Sequence, residues 1–448
     1  MLTPDQARDI AASLVDKAIK GGATAADAML VAGSSTSVSV RLGELEDVSR
    51  SDDRDVGLRV FDGQRSATVS SADFSDESLD ELVKRAVAMA GQAPEDPFAG
   101  LAPAELLLTG QAPDLDGFDP SDPDPAALRA QALAAEQAAR GVAGVTNSNG
   151  GSAGSSASVV ALATSGGFAG AYRSSGFSCS ASVVAGEGSA MQRDYAHHAA
   201  RHLADLDAPE AIGRKAGERA AARVGPTKPT PGRYPVLFDP RVAASLLGHL
   251  SGAISGSAIA RQTSFLLGRL GERIFAQGVT VRDDPHRRRG LRSRPFDGEG
   301  LPARAVDLVA DGVLTTWLAD SAAARQLGIA PTGHASRGVG GAPGASPSNL
   351  ALLPGARSRE ELMAAFPRAI LITELIGQGV NGVTGDYSRG AAGFLVEGGE
   401  IVAPVAEITV ASNLLDMFRT LEPGSDLELR RGIDAPTLLI PEMTVAAG

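Results

Sequence analysis

Apolar residues recur at helical spacing near the start of the chain, with Ile10, Leu14, Val15 and Ala18 on one stripe. Thr3 is placed to cap that helix, Pro4 suits its first position, and Gly21-Gly22 stops it. Polar–apolar alternation then predicts strands around Ser37–Val40 and Gly57–Phe61, with Asp62-Gly63 as a hairpin turn before Ser66–Ser70. Helical spacing returns from Ser75 through Leu79, Leu82, Val83 and Val87 to about Gly91, and again over residues 125–140. The stretch between, 93–125, is rich in Pro, Asp and Gly and reads as a long surface excursion. A Gly/Ser tract at 150–158 leads into a strand at Val159–Thr164. A turn at Gly166-Gly167 and two further strands, Phe168–Tyr172 and Ser178–Val184, follow before a helix from Pro209 to about Val224.

Three prolines between Gly225 and Gly232 cannot continue a helix or a central strand, so this segment predicts a boundary that few contacts need cross. Beyond it, a strand at Tyr234–Phe238 precedes a helix capped by Asp239 and running to about Ala260. Asp311-Gly312 and Gly398-Gly399 mark two hairpins, and Ser358-Arg359-Glu360-Glu361 is a capping box. The predicted fold class is α+β: an N-terminal mixed α/β domain (1–224), a Pro/Gly linker (225–233), and a β-rich, mainly antiparallel, barrel-like C-terminal domain (234–448).

Composition narrows the function. At 448 residues with 43% hydrophobic and 21% charged side chains, two or three soluble domains are expected. Aromatics are only 4%, so Ala, Val, Leu and Ile must fill the cores. A net charge of −12 argues against a nucleic-acid partner. The single cysteine, Cys179, leaves no internal disulfide and no Cys-rich metal site. No leader peptide and no run near the ~20 apolar residues of a membrane helix is visible, which reads as a cytoplasmic protein with no membrane partner. Of the 41 basic residues 36 are arginine, so the run Arg287-Arg288-Arg289 carries little weight and reads as a solvated loop.

The densest chemistry lies at Gly377–Gly393, where glycines at 377, 379, 382, 385, 390 and 393 alternate with Asn381, Thr384, Asp386, Tyr387, Ser388 and Arg389. Glycine lets another chain approach the backbone, so Gly377, Gly379, Asn381, Thr384, Gly385, Asp386, Tyr387, Ser388 and Arg389 are candidates for a peptide groove or a partner contact. Tight turns closing a sheet are the competing reading. His334 and Asn349, in a second glycine-rich loop, join the candidates. The segment satisfies G-x-G-x-x-G, but no helix follows to meet a pyrophosphate. Gly150–Gly154 matches G-x-S-x-G without the strand and helix of a nucleophile elbow. His198 and His202 are spaced as metal ligands on an exposed helix start, but no histidine in the chain precedes a glutamate.

Several separated segments, Asp307–Leu314, Thr332-Gly333-His334-Ala335, Pro347–Leu350, Gly377–Phe394 and Pro441-Glu442-Met443, resemble the TldD/PmbA family on its PmbA (TldE) side. In that family the TldD subunits carry zinc on an H-E-x-x-x-H helix, completed by a later cysteine. The corresponding helix here keeps only His249, and Cys179 lies far upstream. The resemblance therefore implies no catalytic residue and no metal in this chain, with zinc expected in a TldD-like partner subunit. It implies a heteromer that cleaves extended or unfolded peptides, and leaves open a homodimer in the partner's absence. An independent hydrolase and a regulator of DNA gyrase are the alternatives.

Overall fold

The computed structural model describes residues 2–447, apart from the side chain at 189. The first half runs α1 (Pro4–Lys20), β1 (Ala25–Arg41), β2 (Glu44–Asp62), β3 (Arg65–Ser71), α2 (Asp76–Gln92), α3 (Pro125–Arg140), β4 (Val145–Thr164), β5 (Ala169–Ala185), β6 (Gln192–Ala200) and α4 (Pro209–Ala222). Thr3 closes a capping box with Gln6, and Ser75 and Asp124 cap the next two helices. The six strands form one antiparallel sheet in the order β3-β2-β1-β4-β5-β6. Alternation along β4 sorts its two faces: Val159, Ala161 and Ala163 pack with α1 and α2, whereas Leu162 joins Phe168, Phe296 and Leu301.

Three expectations change here. The Gly/Ser tract is the middle of β4, because α3 lies directly on it. A Cβ at Gly151 would stand 2.3 Å from the Ala132 carbonyl oxygen, and the Ser152–Ser180 and Ser158–Ser174 hydroxyls pair across the strands at 2.9 Å. The two strands expected at 168–184 are one, β5. His197 and His198 lie on β6, not on a helix start. His198 Nδ1 accepts the Asp207 N–H at 3.0 Å, while His202 Nε2 bonds the Asp116 carbonyl at 2.9 Å, so the two histidines serve different loops. The 93–125 excursion is pinned as well as exposed: Ala102, Leu107 and Leu115 are buried, and Arg325 donates to the carbonyls of Phe98, Leu101 and Gly100.

The second half comprises β7 (Gly232–Phe238), α5 (Pro240–Ala253), α6 (Gly256–Ala260), β8 (Val281–Asp283), β9 (Val306–Ala310), β10 (Val313–Leu314), α7 (Ser321–Leu327), β11 (Ala335–Ser336), β12 (Gly344–Ala345) and β13 (Leu350–Leu352). It continues with α8 (Arg359–Met363), β14 (Arg368–Ile376), β15 (Asp386–Glu397), β16 (Glu400–Asn413), α9 (Leu414–Thr420), β17 (Glu422–Pro423), β18 (Ile433–Asp434) and β19 (Leu438–Ala447). Strands β16, β15, β14, β7 and β19 lie side by side, and β19 returns to β16 to close a barrel in which only β14–β7 is parallel. Val236, Phe238, Ile370, Ile372, Val410 and Leu438 belong to its core. Asp311-Gly312 and Gly398-Gly399 turn with positive φ at both positions, as two-residue hairpins require. Among the described residues no helix is long and apolar enough to cross a membrane.

The expectation of few contacts across the proline segment does not hold. Gly232 and Arg233 are already paired with Val445 and Thr444 in the barrel, and Thr227 bonds Pro404. Phe168 meets Phe296 edge-on at 4.8 Å. Asp194 of β6 receives Arg223 at 3.3 Å and Arg241, from the second half, at 2.6 and 3.0 Å. Arg337 reaches back from the second half to Asp27, which also pairs with Arg59.

Glu299 sits at this seam, accepting from the Ser321 N–H and hydroxyl at 2.8 and 2.7 Å. Burial pushes its carboxyl up to about 7, with Asp297 adding to the rise and the Ser321 bonds and Arg59 opposing it. A folded-state value above the unfolded one means that the native protein holds a proton the unfolded chain has lost. Stability from this group therefore falls as pH rises from about 4.5 to about 7, by roughly 3 kcal/mol, and is level outside that window. Urea unfolding at pH 4.5 and 8 is expected to show a smaller pH difference for Glu299→Gln than for the unaltered chain. Identical pH dependence in the two proteins would refute this.

Candidate functional site

The glycine-rich segment joins β14 to β15 and begins the latter. Asp386, Tyr387, Ser388 and Arg389 pair with Asn413, Ser412, Ala411 and Val410 of β16. On the other edge the loop folds back onto the same strand. The Ser388 N–H donates to the Gly379 carbonyl at 2.7 Å and the Asn381 N–H to the Asp386 carbonyl at 2.9 Å. Glycine is required there, since a Cβ at 379 would stand 2.1 Å from the Ser388 carbonyl oxygen. Gly377 and Gly385 hold φ of 76° and 81°. The Asn381 carboxamide accepts the Val383 and Thr384 N–H groups at 2.9 and 3.3 Å, Thr384 donates to Asp386 at 2.6 Å, and Asn413 ties Thr384 to the barrel at 2.9 Å. The start of β15 is thus paired on both edges, not open as a docking edge would be. Asp386 and Arg389 point to opposite faces of the strand and form no brace.

Strand alternation divides the segment's side chains. Asn381, Thr384, Asp386 and Ser388 face solvent beside Ile376 and Val383, which are 57% and 54% exposed. Tyr387 and Arg389 turn inward, 1% and 8% exposed. There Tyr387 meets His249 of α5, whose ring lies edge-on to it with centroids 6.0 Å apart, and the Arg389 charge acts on the same imidazole. His249 Nε2, Tyr387 Oη and Arg389 Nε are all sealed from solvent without a hydrogen-bond partner. Burial lowers the His249 imidazole below its usual range, and the Arg389 guanidinium lowers it further. Burial raises the Tyr387 phenol, with Arg389 pulling the other way.

The other two candidates are internal supports. His334 is 3% exposed, with Nδ1 2.9 Å from the Thr332 hydroxyl and Nε2 3.4 Å from Asp283. Asn349 is 2% exposed, accepts the Arg292 N–H at 3.0 Å, and donates to Asp284 and Ser293 at 2.7 and 2.8 Å. Neither reaches Gly377–Gly393. His249 belongs with Tyr387 and Arg389, which the sequence pattern shows only as a lone histidine on a helix. The inward face of β15 could have been read from period-two alternation at 386–389.

Zinc does not fit this cluster. A zinc site takes at least three N, O or S ligands, and no group of three His, Cys, Asp or Glu side chains converges among the described residues. The group beside His249 is a guanidinium, which repels a dication. Cys179 stands in the first half's core, its thiol pushed up to about 11 mainly by burial. Arg287, Arg288 and Arg289 are engaged with Asp434, Asp116 and Asp205.

Three family models match the chain: PmbA/TldA metallopeptidase domain 1 over residues 26–90, the central domain over 118–224, and the C-terminal domain over 231–447. The chain is 40% identical to Metalloprotease PmbA of Escherichia coli O157:H7, across 98% of this chain and 96% of that one. A Bacteroides thetaiotaomicron structure described as a modulator of DNA gyrase superposes with a TM-score of 0.92 at 28% identity, covering 100% of both chains. TldE from Thermococcus kodakarensis shares the fold, with a TM-score of 0.86 at 21% identity over 97% of this chain and 99% of that one. With its domains matched in order and its barrel superposed, the chain belongs to the PmbA/TldD metallopeptidase family.

Proposed function

We propose that this chain is the subunit of a cytoplasmic TldD/PmbA-type metallopeptidase complex that leaves zinc to a TldD-like partner and helps to hold the extended peptide. The observation that carries this reading is the Arg389 guanidinium, whose charge acts on His249, the histidine that the resemblance places on the metal-bearing helix, and a fixed positive charge there opposes a bound dication. The exposed Ile376 and Val383 on the loop above supply an apolar surface for a guest chain or the partner. The ion-paired Arg287–Arg289 run does not favour a nucleic acid, so a gyrase-directed role gains no support from it. Purified alone, the protein is expected to hold no stoichiometric zinc and to leave unfolded peptides intact. Mixed with the TldD-like subunit, it is expected to give a complex whose peptidase activity is lost on chelation. One zinc per isolated chain with chelator-sensitive cleavage would overturn the proposal.

A further inference from the structure

Arg389 is 8% exposed, yet none of its five N–H groups meets an acceptor among the described residues. Its Nε is sealed, while the two terminal nitrogens, equally without partners, keep contact with solvent. Buried guanidinium groups are ordinarily paired, because an uncompensated charge away from water is costly. The missing partner is a planar anion able to face the guanidinium fork. Beneath it, Tyr387 Oη and His249 Nε2 are sealed from solvent and form no hydrogen bond to Arg389. On α5, Gly248 and Gly252 flank His249 one turn apart, with no heavy atom within 4 Å of where a Cβ would stand on either. A guest backbone can therefore lie close to that helix.

We infer that Arg389, through its two terminal nitrogens, binds a carboxylate of the extended peptide; this rests on the peptide-holding role proposed above. The carboxylate is either a free C-terminus or an Asp or Glu side chain. It would bring the acceptors that Arg389 lacks, and it would make the position selective for an acidic group and not merely for chain shape.

The test uses the full-length protein without its partner, so its failure leaves the zinc-bearing-partner reading standing. Three short fluorescein-labelled peptides of one extended sequence are compared by anisotropy: one with a free C-terminus, one amidated, and one amidated with a single internal glutamate. At least one carboxylate peptide is expected to bind about tenfold or more tighter than the neutral amide, and which one does so identifies the source. Arg389→Gln is expected to erase that preference, so that the carboxylate peptides bind no tighter than the neutral amide. Arg389→Gln is also expected to raise the melting midpoint, by about 2 °C or more, because an unpaired buried charge is removed. Equal affinity for all three peptides, or no binding, would overturn the inference. So would a preference that survives Arg389→Gln, or a lowered midpoint marking Arg389 as a structural brace.

Discussion

Asp27→Asn is expected to destabilise the protein by about 3–5 kcal/mol, a large share of the stability a chain of this kind possesses. Asp27 on β1 lies across from Arg59 on β2, and Arg337 enters from the second half to share the same carboxylate. Side-chain exposure is 2% for Asp27, 7% for Arg59 and 0% for Arg337. Burial alone would raise the Asp27 carboxyl, but Arg59 and then Arg337 hold it below the usual carboxylate range. Asparagine keeps the shape and removes the charge, leaving two buried guanidinium groups without their ion-pair partner; Nε and Nη2 of Arg337 already lack partners. Arg337→Ala is expected to cost less, because Arg59 still faces Asp27. Urea unfolding followed by the fluorescence of Trp317, the only tryptophan, reads the second half directly. An Asp27→Asn midpoint indistinguishable from the unaltered chain would remove the pair from any role in joining the halves.

Gly393→Ala is expected to cost roughly 3 kcal/mol or more, although it adds a single methyl group. The new Cβ would stand 1.9 Å from the Leu371 carbonyl oxygen, inside the β14–β15 ladder. Both neighbouring registers are irregular there, between Ile372 and Glu374 and between Ala391 and Gly393, so the strands have already adjusted to bring backbone against backbone. Gly377→Ala supplies the contrast. Its Cβ meets nothing within 4 Å, and the penalty is only the positive φ, about 1 kcal/mol. Equal stability of the two variants in thermal melts would show that backbone approach at 393 is not limiting.

Local signals foretold local structure. Thr3, Ser75 and Asp239 cap helices because their hydroxyl or carboxylate oxygens fit the first turn, and two-residue glycine turns close hairpins as their φ values demand. What failed was structure imposed by distant partners. The glycines and serines of β4 read as a tract ahead of a strand until α3 is laid on them, and His197 looks helical until β5 pairs beside it. The candidate site divides the same way. Spacing located the segment at 377–393 and its turns, but the meeting of Tyr387 and Arg389 with His249 joins residues far apart in sequence, and no local pattern encodes it.

Barrel closure carries a consequence for how the chain must fold. Phe238 of β7 pairs with Leu438 of β19, and Ile408 of β16 with Ala447. During synthesis β7 therefore emerges long before the strand that seals it, presenting an unpaired row of amide and carbonyl groups. Such edges template association with other chains, and contacts of high sequence separation form slowly. Nascent chains stalled ahead of Leu438 are thus the species most exposed to aggregation and to capture by chaperones, and addition of the missing strand as a peptide in trans is the natural means of rescuing them.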